Sequence, residues 1–246
     1  MKIDLLTYTT EPERAVAVGA KVCYSKKDAK TLWSELTEEQ VEKMISHLLT
    51  SQHTSPLEHA NFTFAIQGID RATAQQLTRH RHTSPSMQSQ RYVDMENANF
   101  SMPTSIALNA RTTRPTAKEV FLKFLSSVND TYKFFTKTCG IKKEDARSIL
   151  PLCTQSNIQI TMNAAELYHI FALRCCTRAQ GEFRELADKM LELVKNVAPH
   201  LFARAGASCT QLGYCPEGSQ SCGKAPTLSK LLEVYNKFMS ESKKEG

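Results

Sequence analysis

Hydrophobic and polar positions alternate or recur with helical spacing along most of the chain, and these patterns predict its elements. The opening KIDLLTYT alternates and predicts a first or edge strand. EPERAVAVGAKVCY follows with helical spacing and Pro12 near its first turn. TEEQVEKMISHLLTSQ is amphipathic, with Thr37 as cap and Gln40 three residues on as a capping box. In HTSPLEHANFTFAIQG a Ser-Pro turn leads into an alternating strand that sets Phe62, Phe64 and Ile66 on one face. DRATAQQLTRHR turns helical again, with Asp70 as its N-cap. Pro85 then predicts a loop, and QRYV the entry to another strand.

The second half reads as mostly helical. TAKEVFLKFLSSVNDTYKFFTKTCG is one long amphipathic helix closed by Gly140. KKEDARSILP is short and stopped by Pro151, and SNIQITMN alternates as a strand. AAELYHIFALRCC, EFRELADKMLELVKNVAPHLF and TLSKLLEVYNKFM complete the helices. With no repeat, low-complexity block or linker, the pattern predicts one α/β (α+β) domain over residues 1–246.

Composition narrows the function classes. Of the 246 residues 41% are apolar and 23% charged, ordinary values for a globular chain. No apolar run approaches the ~20 residues that span a bilayer, and the N-terminus lacks a signal-peptide core. A cytoplasmic protein with no membrane partner is expected. The net charge of +6 lies in separated arginines and the KKEG tail, not in a dense stripe. It suits anionic small molecules, and no nucleic-acid partner is expected. Eight cysteines stand at 23, 139, 153, 175, 176, 209, 215 and 222. Five lie within or beside apolar segments, where a reduced Cys packs as a small hydrophobe. The last three fall in the loop-like CTQLGYCPEGSQSCG. No C-x-x-C spacing occurs, so reduced structural thiols and no metal are expected, with metal or redox use of that trio left as the alternative.

Three stretches carry candidate chemistry. HTSPLEH places His53, Ser55, Glu58 and His59 around a proline turn. It reads as local structure, ligand binding or a metal site, although the spacing cannot put ligands on one helical face as H-E-x-x-H does. Arg147, Asn163, His169 and Arg174 lie in polar-apolar helical segments. Arg174 sits among Phe171, Leu173, Cys175 and Cys176, a setting that calls for an anionic partner, either Glu166, Glu182 or a ligand. The densest stretch is RHRHTSPSMQSQRY, residues 79–92. Cations at its start suit the C-terminal end of a helix dipole. The hydroxyls, amides and Arg91 that follow suit a phosphate held by backbone N–H groups and a guanidinium fork. It lacks the glycines of a P-loop or dinucleotide fingerprint.

RHRHTSPSMQS carries the R-H-R, seven residues, then Ser signature of the flavin-dependent thymidylate synthases, and QRY continues it. HTSPLEH resembles the family's upstream H-x-[ST]-P-x-E-H segment. AKVCYS, ARSILPL, TMNAAEL and LRCCTRAQGEFRELA follow family order and spacing, so the resemblance covers roughly residues 1–205. It implies a methyltransferase with a central, mostly antiparallel sheet flanked by helices. It implies methylation of dUMP to dTMP, with methylenetetrahydrofolate as one-carbon donor, FAD reduced by NADPH as hydride source, and tetrahydrofolate released. It also implies a homotetramer with sites where subunits meet.

The roles implied by the resemblance are as follows. Ser55, Glu58, Arg79, His80, Arg81, His82, Asn163 and His169 hold FAD. Gln76, Arg79, Gln88, Ser89, Gln90, Arg91 and Arg147 hold dUMP. Met87 lies against both ligands through backbone or van der Waals contact, since its side chain is expected to make no hydrogen bond. Arg174 lies against the uracil and favours its ionised form, which makes it the expected catalytic residue. His53 and Tyr92 stand near the entry of folate or nicotinamide. Ala165 replaces an arginine that contacts FAD in some members, and nothing transfers to the tail from Cys209 onward.

Overall fold

A computed structural model describes residues 1–111 and 114–242. In chain order the elements are β1 (Lys2–Tyr8), α1 (Pro12–Val22), α2 (Ala29–Glu35), α3 (Glu38–Ser51), a 3-10 turn (Ser55–His59), β2 (Asn61–Asp70), α4 (Arg71–Leu77), β3 (Thr83–Met87), α5 (Thr104–Ala107), α6 (Ala117–Lys133) with a π-helical turn (Phe134–Thr138), α7 (Lys143–Ala146), β4 (Gln155–Asn163), α8 (Ala164–Arg174), α9 (Gly181–Val197), α10 (Ser208–Leu212) and α11 (Leu228–Ser242). The backbone groups into two compact units, one of residues 1–8 and 62–162, the other of residues 9–61 and 163–246.

The first unit holds the sheet, in the order β1-β2-β4-β3, with β1 and β3 at its edges. β1 runs antiparallel to β2, pairing Leu5 with Phe64 and Ile3 with Ile66. Alternation decides the buried face: Phe62, Phe64 and Ile66 on β2 and Ile158, Ile160 and Met162 on β4 are all buried. Between them, Thr63 and Thr161 meet on the opposite face with their hydroxyls 2.9 Å apart. Asp70 ends β2 and starts α4, its carboxylate accepting the Thr73 N–H at 2.6 Å. Both residues are buried. Asp70→Ala is therefore expected to cost about 1–2 kcal/mol in equilibrium denaturation, and an unchanged midpoint would contradict the capping role.

In the second unit α1 packs its Val16, Ala17 and Val18 against α3, which presents Val41, Ile45 and Leu48. Thr37 caps α3 with the reciprocal Gln40 bonds of a capping box. The 3-10 turn lies so close to α1 that a Cβ on Gly19 would meet the His59 ring at 2.4 Å. Only glycine permits that approach without displacing the ring. α8 packs on α9 through an aliphatic and aromatic core containing Leu167, Ile170, Phe171, Phe183, Leu186 and Met190.

Several expectations change. Residues 83–87 form β3 and not a loop, with Pro85 opposite Ile160. Proline lacks a donor but is tolerated on an edge strand, whose outer side needs none. QRYV is turn and bend and not a strand, because the carbonyl of Ser89 accepts from both Tyr92 N–H (3.2 Å) and Val93 N–H (3.0 Å). Cys23 and Cys139, expected to pack as small hydrophobes, are exposed, whereas Cys215 in the supposed loop is buried. The helix from 117 passes through a π turn before Gly140, at φ 67°, ends it. Among the described residues no helix is long and apolar enough to cross a membrane.

Candidate active site

In the first unit the R-H-R segment leaves α4 as a tight turn closed by the Thr83 hydroxyl donating to the His80 carbonyl at 2.9 Å. Gln76 is half-buried on α4 and His80 is buried, while Arg79, Arg81 and His82 are exposed. The chain then runs along β3. Met87, for which no side-chain hydrogen bond was expected, accepts one: the Arg71 guanidinium donates to its sulfur at 3.5 Å. A thioether is a weak acceptor, but the contact pins the end of β3. Gln88 extends the pairing beyond the strand, its N–H donating to the Asn157 carbonyl at 2.8 Å and its side-chain oxygen accepting from the Asn157 N–H at 3.3 Å. The Ser89 hydroxyl accepts from the Arg91 N–H at 3.2 Å. That bond shapes the turn that lifts Arg91 outward. Gln90 is buried, and its side-chain nitrogen meets no acceptor among the described residues. A buried donor left in that state costs about 1–3 kcal/mol, so this amide suits a ligand oxygen.

Glu144 organises the two arginines. Its carboxylate accepts from Nε of Arg91 at 2.6 Å, and its backbone carbonyl accepts from Nε of Arg147 at 3.1 Å. Both bonds use Nε, and both arginines are exposed. Each guanidinium therefore keeps its terminal nitrogens for a second partner, the arrangement that binds phosphate bidentately. Arg91 also lies 5.4 Å from the centroid of the Tyr92 ring. Glu144 stays in place because Ala146, two residues on, is buried with Met95 and Tyr132, whose hydroxyl accepts the Met95 N–H at 3.4 Å. Beside them Asp94 accepts the Glu96 N–H and lies near Lys143 and Lys137, which together hold its carboxyl below the usual range.

In the second unit Ser55 and Glu58 are exposed on the 3-10 turn, whose Pro56 and Leu57 are buried. The Ala164 N–H donates to the Ala60 carbonyl at 2.8 Å, which brings the start of α8 to the end of that turn. Asn163 caps α8, its side-chain oxygen accepting from the Glu166 N–H at 2.9 Å. His53 and His169 are exposed. Arg174 ends α8 with its guanidinium 4.6 Å from the centroid of the Phe183 ring. Burial pushes its pKa below the ordinary arginine value. Arg174 lines a cleft of about 230 Å³ together with Ala172, Leu173 and Arg178.

The structure thus joins Arg91 to Arg147 and the Ser55–Glu58 turn to Asn163. Gln76 to Tyr92 and Arg147 belong to the first unit, and His53, Ser55, Glu58, Asn163, His169 and Arg174 to the second. Sequence reading missed Glu144, Arg71, Asn157 and Phe183. Glu144 stands three residues before Arg147 on a short helical turn, a spacing that could have flagged it.

Residues 4–200 match the family model described as thymidylate synthase complementing protein. A flavin-dependent thymidylate synthase of Geobacter sulfurreducens is 43% identical over 94% of this chain and 98% of its own length. One from Clostridium tetani is 40% identical over 94% and 96%, and one from Pyrococcus abyssi 37% identical over 88% and 90%.

Proposed function

The chain belongs to the flavin-dependent thymidylate synthase family, and from that premise we propose that it methylates dUMP to dTMP using methylenetetrahydrofolate, FAD and NADPH, releasing tetrahydrofolate. As a member of the family it is a flavin-dependent methyltransferase of thymidylate synthesis acting on small molecules. The observation that carries the finer reading is the pair of arginine forks on Glu144, beside the buried amide of Gln90.

The residues present fit a flavin nucleotide. Arg79 and Arg81 are exposed cations suited to a pyrophosphate. Ser55, Glu58 and the amide of Asn163 add polar groups from one neighbourhood. In this reading Ser55, Glu58, Arg79, His80, Arg81, His82, Asn163 and His169 hold FAD, with Met87 in backbone contact. When bound, the flavin supplies hydride chemistry that no side chain offers.

Arg91 and Arg147 would clamp the dUMP phosphate through their terminal nitrogens, with Gln76, Arg79, Gln88 and Gln90 orienting the nucleotide. Arg174 would face the uracil and stabilise negative charge on it. That raises the nucleophilicity of the carbon to be methylated, by the same physics that makes fixed donors lower the barrier to developing charge. Ser89 serves as a turn former and dUMP contact. Its hydroxyl accepts the Arg91 N–H, and among the described residues no base is bonded to it that would activate it as a nucleophile. His53 and Tyr92 would border the folate or nicotinamide entry. The reading includes a cytoplasmic homotetramer, for which the exposed Val120, Leu122 and Phe124 on α6 offer apolar contact surface.

Arg91→Ala is expected to raise KM for dUMP by about 10- to 100-fold, the equivalent of one charge-assisted contact, with flavin content unchanged. Glu144→Gln should produce a smaller rise, since both forks survive but lose their anchor. Loss of flavin from Arg91→Ala would contradict the assignment of this turn to the nucleotide.

A further inference from the structure

Three helices of the second unit line an open cavity of about 600 Å³. It lies between the last turn of α1, the loop after it, α2 and α3. Fixed contacts at both ends of α2 hold its shape. Asp28 caps the start, its carboxylate accepting from the Thr31 N–H at 3.0 Å and the Thr31 hydroxyl at 2.7 Å. The Thr37–Gln40 capping box fixes the turn from α2 into α3. Arg14 of α1 donates to the carbonyls of Trp33 (3.1 Å) and Leu36 (2.6 Å) and pairs with Glu38, which ties α1 to that turn. In the loop the Ser25 hydroxyl accepts the Lys27 N–H at 3.0 Å.

The lining has an apolar part and a charged part. Leu32 is buried, and Leu36 and Met44 are half-buried. Lys21 comes from α1, Lys27 from the loop, and Lys43 and His47 from α3. Gln40, Lys43, Met44 and His47 keep the i, i+3, i+4, i+7 spacing, so one stripe of α3 faces the space. Glu35 is the acid of the lining, and Lys27 engages it. Three lysines against one glutamate leave a surplus of two positive charges before His47 is counted. Lys21 and Lys43 thus face the cavity with no acid of its lining left to them.

We propose that this cavity binds a small organic dianion, an apolar body carrying two separated carboxylates. Organic-ligand pockets run to about 300–1,000 Å³, so the volume admits a whole molecule and far exceeds what a simple ion fills. The two leucines offer surface that an apolar body removes from water, and the flexible thioether of Met44 adapts to its outline. Lysine ammoniums are compact point charges, not the fork that grips one phosphate bidentately. Placed on two different helices, Lys21 and Lys43 match two anionic groups held apart by a body. Each such pair is weak by itself at an exposed rim, so affinity requires both charges together with the apolar contact. None of these residues belongs to the flavin or nucleotide sets. The inference therefore stands apart from the methyl-transfer reading, and its readout is binding.

The test is isothermal titration calorimetry of the full flavin-containing chain with naphthalene-2,6-dicarboxylate, with and without dUMP. Saturable binding of about one probe per chain is expected, at least about 10-fold tighter than 2-naphthoate or inorganic phosphate, and unchanged by dUMP. Lys21→Glu and Lys43→Glu should each weaken it by about 10-fold or more, because attraction becomes repulsion, with flavin content retained. Lys26→Glu alters an exposed lysine of the same loop outside the lining, and should change affinity by less than about 2-fold. Absence of saturable binding to the wild-type chain would overturn the site. Equal affinity for inorganic phosphate would overturn the dicarboxylate class. Competition by dUMP, or equal weakening by Lys26→Glu, would show that the probe responds to the nucleotide site or to overall charge and not to this cavity.

Discussion

Arg174→Ala is expected to lower thymidylate formation by at least about 100-fold, the loss seen when a fixed donor to developing charge is removed, with flavin still bound. Arg174 ends α8, and burial makes its charge costly. Such a position is retained when the charge meets something that repays the desolvation. The Phe183 ring beneath it, at 4.6 Å from the guanidinium, supplies part of that stabilisation and fixes the plane of the fork. Arg174→Lys should rescue little, because an ammonium keeps the charge but loses the planar fork and its stacking. Phe183→Leu should fall between the two, with kcat reduced more than KM. Turnover retained in Arg174→Ala would show that uracil activation resides elsewhere.

Phe64→Ala is expected to remove about 3–5 kcal/mol of folding stability, a large share of the about 5–15 kcal/mol that holds a typical domain together. Phe64 is wholly buried at the middle of β2, opposite Leu5 of the edge strand. Truncation leaves a cavity flanked by Phe62 and Ile66 that the paired strands cannot close. For a chain of this size the melting midpoint should fall by about 6–20 °C. Tyr24→Ala, at a residue 81% exposed, is the control and should stay within about 0.5 kcal/mol. Equal midpoints for the two variants would contradict the assignment of the buried sheet face.

Local signals were legible wherever one residue's chemistry decides the outcome. The Thr37–Gln40 box, the Asp70 cap and the Phe62, Phe64, Ile66 face follow from patterns within a few residues, and the structure has each of them. Pro85 misled because a missing donor forbids a central strand but not an edge, and edge position is a property of the whole sheet. The Arg91–Glu144–Arg147 cluster spans more than fifty residues and depends on Tyr132 and Met95 packing beneath it. No local pattern could reveal the acid, although the two arginines were visible. Arg174 was recognised by its apolar neighbours, but its aromatic partner lies on the next helix. The cysteines were legible in part: Cys209, Cys215 and Cys222 stand apart as one trio along the chain, but only folding brings Cys175 and Cys176 to the same cavity as that trio.

The most direct test of the proposed reaction is release of tritium from dUMP labelled at the carbon to be methylated, measured with the purified flavin-containing protein, methylenetetrahydrofolate and NADPH. Release that requires all three small molecules, and that Arg174→Ala suppresses by at least about 100-fold, is the predicted result. No release from a chain that carries its flavin, with every substrate present, would contradict the assignment of this chain as a dUMP methylase.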